Sequence, residues 1–213
     1  YFNADYARAR GIEIILKSRL FSNWYADLNF NYSIVTGKSS SPLDNLLVQA
    51  GQLSEKPLGE GYMSWDRPFH YFTNLSYTNP KNWGLSMRLE YESGRRYTRS
   101  IIDTLITVND QQYYEGPRED DKPYYYLSDV ATRNIDLKFY KTLELKHFGI
   151  KLYLEAENLL DERTPRRINP YTGRGYGPGE IIGYHLANSP DPNLDPSRFR
   201  KPRSIEIGFQ VIF

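Results

Sequence analysis

Seven stretches of this chain alternate apolar and polar side chains with a period of two, and longer polar segments separate them. The last stretch is the plainest. Ile205, Ile207, Phe209, Val211 and Phe213 fall on every second position, with Ser204, Glu206, Gly208 and Gln210 between them. A period of two places the apolar set on one face of a strand. The same pattern predicts strands over about 9–20 (Ile12, Ile14, Leu16 and Leu20 on one face) and 24–35 (Trp24, Ala26, Leu28, Phe30, Tyr32 and Ile34). It predicts further strands over about 70–78 (Tyr71, Thr73, Leu75, Tyr77), 83–92 (Trp83, Leu85, Met87, Leu89, Tyr91), 133–142 (Ile135, Leu137, Phe139) and 148–158 (Phe148, Ile150, Leu152, Leu154, Ala156). Each has roughly 10 residues, about what a tilted strand needs to cross a hydrocarbon layer.

The connections alternate in length. Phe21–Asn23, Asn79–Asn82 and Leu143–His147 are short turns, whereas segments of about 36–69, 93–132 and 159–202 are long and polar. Long loops on one side and tight turns on the other are the pattern of outer-membrane β-barrels. The expected fold is therefore all-β, a transmembrane antiparallel barrel segment of about seven strands with long extracellular loops. If the short turns are periplasmic, the last strand runs downward and Phe213 ends at the periplasmic interface. A soluble β-sandwich also alternates, with its apolar face inward. Three features favour the membrane. The polar faces carry many charges, Trp24 and Trp83 open strands where an interface girdle belongs, and about seven strands cannot close a single-chain bacterial barrel, whose strand number is even. Unpaired edges are not tolerated in lipid, so the chain is expected to be part of a larger barrel, completed by residues or a chain outside it.

Composition narrows the picture. Only 39% of the 213 residues are hydrophobic, yet 15% are aromatic, including 19 tyrosines, and no apolar run approaches a spanning helix. A disordered chain would be poor in aromatics. Lys and Arg number 27 against 26 Asp and Glu, a net charge of +1, which gives no electrostatic basis for nucleic-acid binding. Cysteine is absent, which excludes a disulfide scaffold, a Cys-ligated metal and a thiol nucleophile. The chain begins at Tyr1 rather than Met, so it is expected to be processed or part of a longer protein.

Several local sequences, in this order, resemble the C-terminal barrel region of TonB-dependent receptors of the Gram-negative outer membrane. Ala9-Arg-Gly-Ile-Glu-Ile14 resembles their recurrent x-x-G-h-E-h strand (h, hydrophobic), and Trp65-Asp-Arg-Pro-Phe-His70 their W-D entry into a downward strand. Tyr91-Glu-Ser-Gly-Arg-Arg-Tyr-Thr98 resembles Y-x-S-G-x-x-Y-T, and Asn134-Ile-Asp-Leu-Lys138 resembles N-h-D-L-R. Glu157-Asn-Leu-Leu-Asp161 resembles x-N-L-F-D, with Leu160 in place of Phe. The resemblance covers essentially the whole chain. It implies a 22-stranded barrel with an N-terminal plug, importing a scarce ligand with energy from the inner membrane. It implies as partners outer-membrane lipid, the rest of the barrel and its plug, and a TonB-type energy-coupling protein, with a surface lipoprotein a further possibility. The alternative is an outer-membrane surface-binding or structural barrel without active transport.

The candidate site residues follow from this frame. Ile205, Ile207, Phe209, Val211 and Phe213 read as both a lipid-facing strand and the signal for barrel assembly. Arg88, Glu90, Glu92, Asp136, Lys138, Lys151, Glu155 and Glu157, with Glu206, are expected to face the lumen. There they line a ligand path, hold the plug by ion pairs, or form a solvated wall whose charges compensate one another. Arg95, Arg96 and Arg99 are expected at the extracellular mouth, as contacts for an anionic ligand or for lipopolysaccharide phosphates. Asp110, Glu115, Glu119, Asp120 and Asp121 form an acidic tyrosine-rich loop without EF-hand spacing. Gly173–Gly179 is glycine-rich but lacks the Gly-Lys-Ser/Thr of a phosphate cradle. His70, His147 and His185 are dispersed, so no metal site or cofactor is expected, and no nucleophile motif marks an enzyme.

Overall fold

The computed structural model describes residues 6–38, 49–50, 60–102, 104–115, 118–119 and 125–212. Seven long strands form one antiparallel sheet: β1 (Ala7–Leu20), β2 (Trp24–Gly37), β3 (Phe69–Asn79), β4 (Trp83–Glu92), β5 (Thr132–Glu144), β6 (Gly149–Glu157) and β7 (Ser204–Ile212). Each pairs with its neighbours in sequence, giving a simple meander with β1 and β7 at its edges. Short 3₁₀ turns occur at Tyr184–Leu186 and Pro196–Arg198. No helix among the described residues is long and apolar enough to cross a membrane.

Strand positions follow the alternation closely, with differences at the ends. β1, β2 and β5 extend two or so residues beyond the expected limits because their neighbours continue to offer backbone partners there, as in the pairing of Ala7 with Gly37. Phe148 lies in the β5–β6 turn rather than in a strand, its carbonyl accepting from the Leu145 N–H at 2.9 Å. The tight turns place Phe21 (φ 59°) and Asn82 (φ 62°) in the left-handed region, which reverses the chain within three residues. Phe213, and Tyr124 with Asp120 and Asp121 of the acidic loop, lie outside the described residues.

The register carries one apolar row pattern across the sheet. Leu16, Leu28, Thr73, Leu89, Ile135 and their neighbours lie in successive pairings on a common face. Leu137–Ala156–Ile205 and Phe139–Leu154–Ile207 continue it to β7. No second layer covers this face among the described residues. Ile12 is 63% exposed, Ile207 79% and Phe209 69%, values foreign to a soluble core. Aromatic rings gather at both ends of the face. Near the short turns, Trp24 and Tyr77 lie 4.9 Å apart, Tyr77 and Trp83 4.9 Å, and Trp83 and Phe139 6.1 Å. Near the long loops, Tyr32 and Phe69 lie 4.9 Å apart, with Phe30 6.5 Å from Phe69.

The opposite face is polar, and two tyrosines lie flat against it. Tyr140 pairs with Gly84 and Tyr153 with Gly208. A Cβ at either glycine would collide with the facing ring, so the absence of a side chain lets the aromatic lie on the backbone. Replacing Gly84 with Val is expected to cost about 1–3 kcal/mol through overpacking. Urea unfolding followed by tryptophan fluorescence checks this. The cost should shrink when Tyr140→Ala is present as well, because the collision is then gone.

Candidate functional site

The buried centre of the described chain is in its long loops rather than in its sheet. Met63, Tyr113, Tyr171, Tyr176 and Phe199 are buried there, whereas Ala156 is the one buried hydrophobic side chain on a long strand. The loops are built from short pairings. Arg96–Tyr97 pairs with Leu127–Ser128, and Ser100–Ile101 with Arg118–Glu119. The hairpin Leu105–Val108/Gln111–Tyr114 turns through Asn109 and Asp110, both at positive φ. Ile182–Gly183 adds to it in parallel, which joins the β4–β5 loop to the β6–β7 loop. The Ser100 N–H donates to the Pro170 carbonyl at 3.0 Å, a second link between the same two loops.

Two of the arginines expected at the mouth hold this lobe together. Arg96 Nε donates to Asp66 Oδ2 at 2.9 Å, and its guanidinium stacks 4.0 Å from the Tyr62 ring centroid. Asp66 is fully buried, and its other oxygen accepts the Val35 N–H at 2.7 Å. Arg95 pairs with Asp129 at 3.2 Å and donates to the Arg166 carbonyl at 3.1 Å. Only Arg99 of the three is exposed, and it forms no ion pair among the described residues. Elsewhere in the lobe, Arg163 stacks 3.8 Å from the Phe199 centroid and donates to Asn193 Oδ1 at 2.8 Å. The glycine-rich run Gly173–Gly179 is part of this packing, with Tyr176 buried in its middle.

A groove of about 730 Å³ lies between the hairpin and residues 179–191 of the β6–β7 loop, lined by Asp110, Gln112, Tyr113, Glu180, Ile182 and Asp191 among others. Asp110 of the acidic loop therefore opens onto a groove, whereas Glu115 closes the hairpin by donating its N–H to the Thr104 carbonyl at 3.0 Å. Glu180 faces inward. Asn169 Nδ2 donates to it at 3.0 Å and Arg174 at 2.9 Å. Burial raises its pKa, but the hydrogen bonds and the Arg174 charge outweigh that and hold the carboxyl below its ordinary 4.5.

On the sheet, register brings the eight charged candidates onto the polar face together. Asp136 lies opposite Arg88, Lys138 opposite Glu155, and Glu155 opposite Glu206. Lys138 Nζ meets Glu155 at 2.9 Å, and Lys151 lies 4.7 Å over the Tyr140 ring. Asp136 accepts from Asn134 Nδ2 at 2.9 Å and from the Asn158 N–H at 3.0 Å. Lys201 meets Glu157 at 2.9 Å. Glu92, at the loop end of β4, receives Arg67 from one long loop and Arg200, at 3.2 Å, from another.

His147 and His185 lie apart on exposed turns. His70 does not stand alone, because it pairs in the β3–β4 ladder with Glu92 and lies 3.4 Å from Glu90. The alternation of β3 and β4 fixes which face each of these residues takes. The neighbour relation depends on which residue pairs with which across the turn, and that was the available signal.

Two outcomes test this construction. Asp66→Asn leaves Arg96 facing a neutral partner in a buried setting and is expected to cost about 3 kcal/mol, the scale of a broken buried pair. Limited proteolysis would then cut the loops faster than in the wild type. Glu180, whose pKa is depressed on folding, contributes stability that is complete above pH 4.5 and is lost as pH falls through its lower folded value. Loop protection in hydrogen exchange should therefore hold at pH 5 and fall in stronger acid, and Glu180→Gln should flatten that acid response.

Comparison with protein-family models, with curated proteins and with solved structures gave no match to this chain.

Proposed function

We propose that this chain is the C-terminal wall of a TonB-dependent outer-membrane receptor, which imports a scarce ligand using energy delivered from the inner membrane. The observation that carries the membrane reading is the uncovered apolar face, continuous over seven strands and bounded at both ends by aromatic rings. Trp24 and Tyr32, in opposite bands, are eight residues apart, which is roughly 26 Å along a strand. At the ~35–45° tilt of outer-membrane strands this is a height of roughly 20 Å between ring-bearing positions, of the order of the ~25 Å apolar band of such a barrel. The transport reading rests on the motif resemblance, and the polar face with its charged residues supplies a wall for a plug and a ligand path.

Strand direction supports a larger barrel. In a seven-strand meander β1 and β7 run the same way, from the long-loop side to the short-turn side. Antiparallel closure needs a strand running the opposite way against each free edge. The remaining wall must therefore contribute an odd number of strands, in keeping with even-numbered barrels.

Ile207→Arg distinguishes this reading from a soluble sheet. On a lipid-facing wall it should cost about 2–4 kcal/mol, measured by unfolding in detergent or lipid. At an open aqueous surface the same change, at a residue already 79% exposed, should stay within about 0.5 kcal/mol. Fractionation adds a second check. The protein should remain with outer membranes and require detergent for release, and recovery in the aqueous phase would sink the proposal. Ligand uptake that persists after collapse of the inner-membrane proton gradient would favour a passive or purely structural barrel.

A further inference from the structure

We infer that His70, Glu90 and Glu92 form a binding site for a divalent transition-metal ion of the zinc type, on the polar face where the strands meet the long loops. One ligand atom from each residue lies within 4.8 Å of the others, and all three residues are half-buried. The sheet itself sets this spacing. His70 and Glu92 are directly paired in the β3–β4 ladder, and Glu90 is two residues along β4 on the same face. Tetrahedral coordination at ~2.1 Å separates ligand atoms by roughly 3.4 Å, so side-chain rotation alone closes the set without moving backbone. One imidazole nitrogen with two carboxylates is a donor set that suits zinc and its neighbours, and it is a poorer match to the all-oxygen shell of calcium.

The surrounding arginines act on the outer oxygens. The hydrogen bonds to Glu92 from Arg67, Arg200 and Thr132 all end on Oε2, leaving Oε1 open. Arg88 meets Glu90 through Oε2, while Oε1 faces His70. Each carboxylate is thus oriented through one oxygen and free to coordinate through the other, the arrangement by which outer groups position metal ligands. The three guanidinium groups exceed the two carboxylates in charge, which opposes a cation. Binding is therefore weaker than the same three ligands would give without the arginines, and removing an arginine strengthens it.

This site is independent of the transport reading, and its test needs no uptake measurement. Zinc is titrated calorimetrically into the intact protein purified in detergent, with cobalt absorption as a second readout. Wild type should bind zinc with a component that His70→Gln weakens ten-fold or more. Glu90→Gln should do the same, and Arg200→Gln should tighten it about five-fold, as expected when one positive charge leaves the site. Circular dichroism of each variant shows whether it retains the strand signal of the wild type. Absence of zinc binding at millimolar concentration would overturn the proposal. So would a change under ten-fold in both His70→Gln and Glu90→Gln when both are folded.

Discussion

A one-residue slip in any of the six ladders between the long strands would carry that strand's apolar set to the opposite face. The register therefore determines more than strand pairing. It keeps Leu28, Leu75 and Met87 on one side, and Asp27, Asn74 and Arg88 on the other. It puts Tyr140 over a glycine and Glu155 within reach of Lys138. The tight turns at Phe21 and Asn82 hold the first two hairpins in phase, and the cost of exposing charge on an apolar face holds the rest.

The sheet and the loops are stabilised by different means. On the sheet, backbone ladders and same-face neighbours do most of the work, and little of either face is buried by other parts of the described chain. In the lobe, tyrosine rings, a buried carboxylate and stacked guanidinium groups build an interior of their own. Asp66 is the junction between the two. It accepts from the backbone of β2 and from Arg96 of a different loop, so the end of one strand and the base of the lobe share one side chain.

The strands were legible because their signal is local: the side chain two positions away decides each face. That local signal puts Trp24 and Trp83 at one end of the sheet, where their rings meet through Tyr77. The lobe was not legible in the same way. Arg95 and Arg96 read as ligand contacts because adjacent arginines beside a loop look exposed. Their partners, Asp129 and Asp66, are some thirty residues away in sequence and no period announces them. The surroundings of His70 are hidden in the sequence for a related reason. Three histidines far apart in the chain look dispersed until the β3–β4 pairing sets one of them against two glutamates.

The meander also shapes the route by which the chain is assembled. Three hairpins, β1–β2, β3–β4 and β5–β6, close over a few residues each, so their pairings start at the turn and grow outward from it. Joining them requires closure of segments 38–68, 93–131 and 158–203. Closure entropy grows only with the logarithm of length, so these three steps differ by less than about 1 kcal/mol. β7 reaches β6 across the longest of the three segments, and so this edge is the least local pairing among the seven long strands.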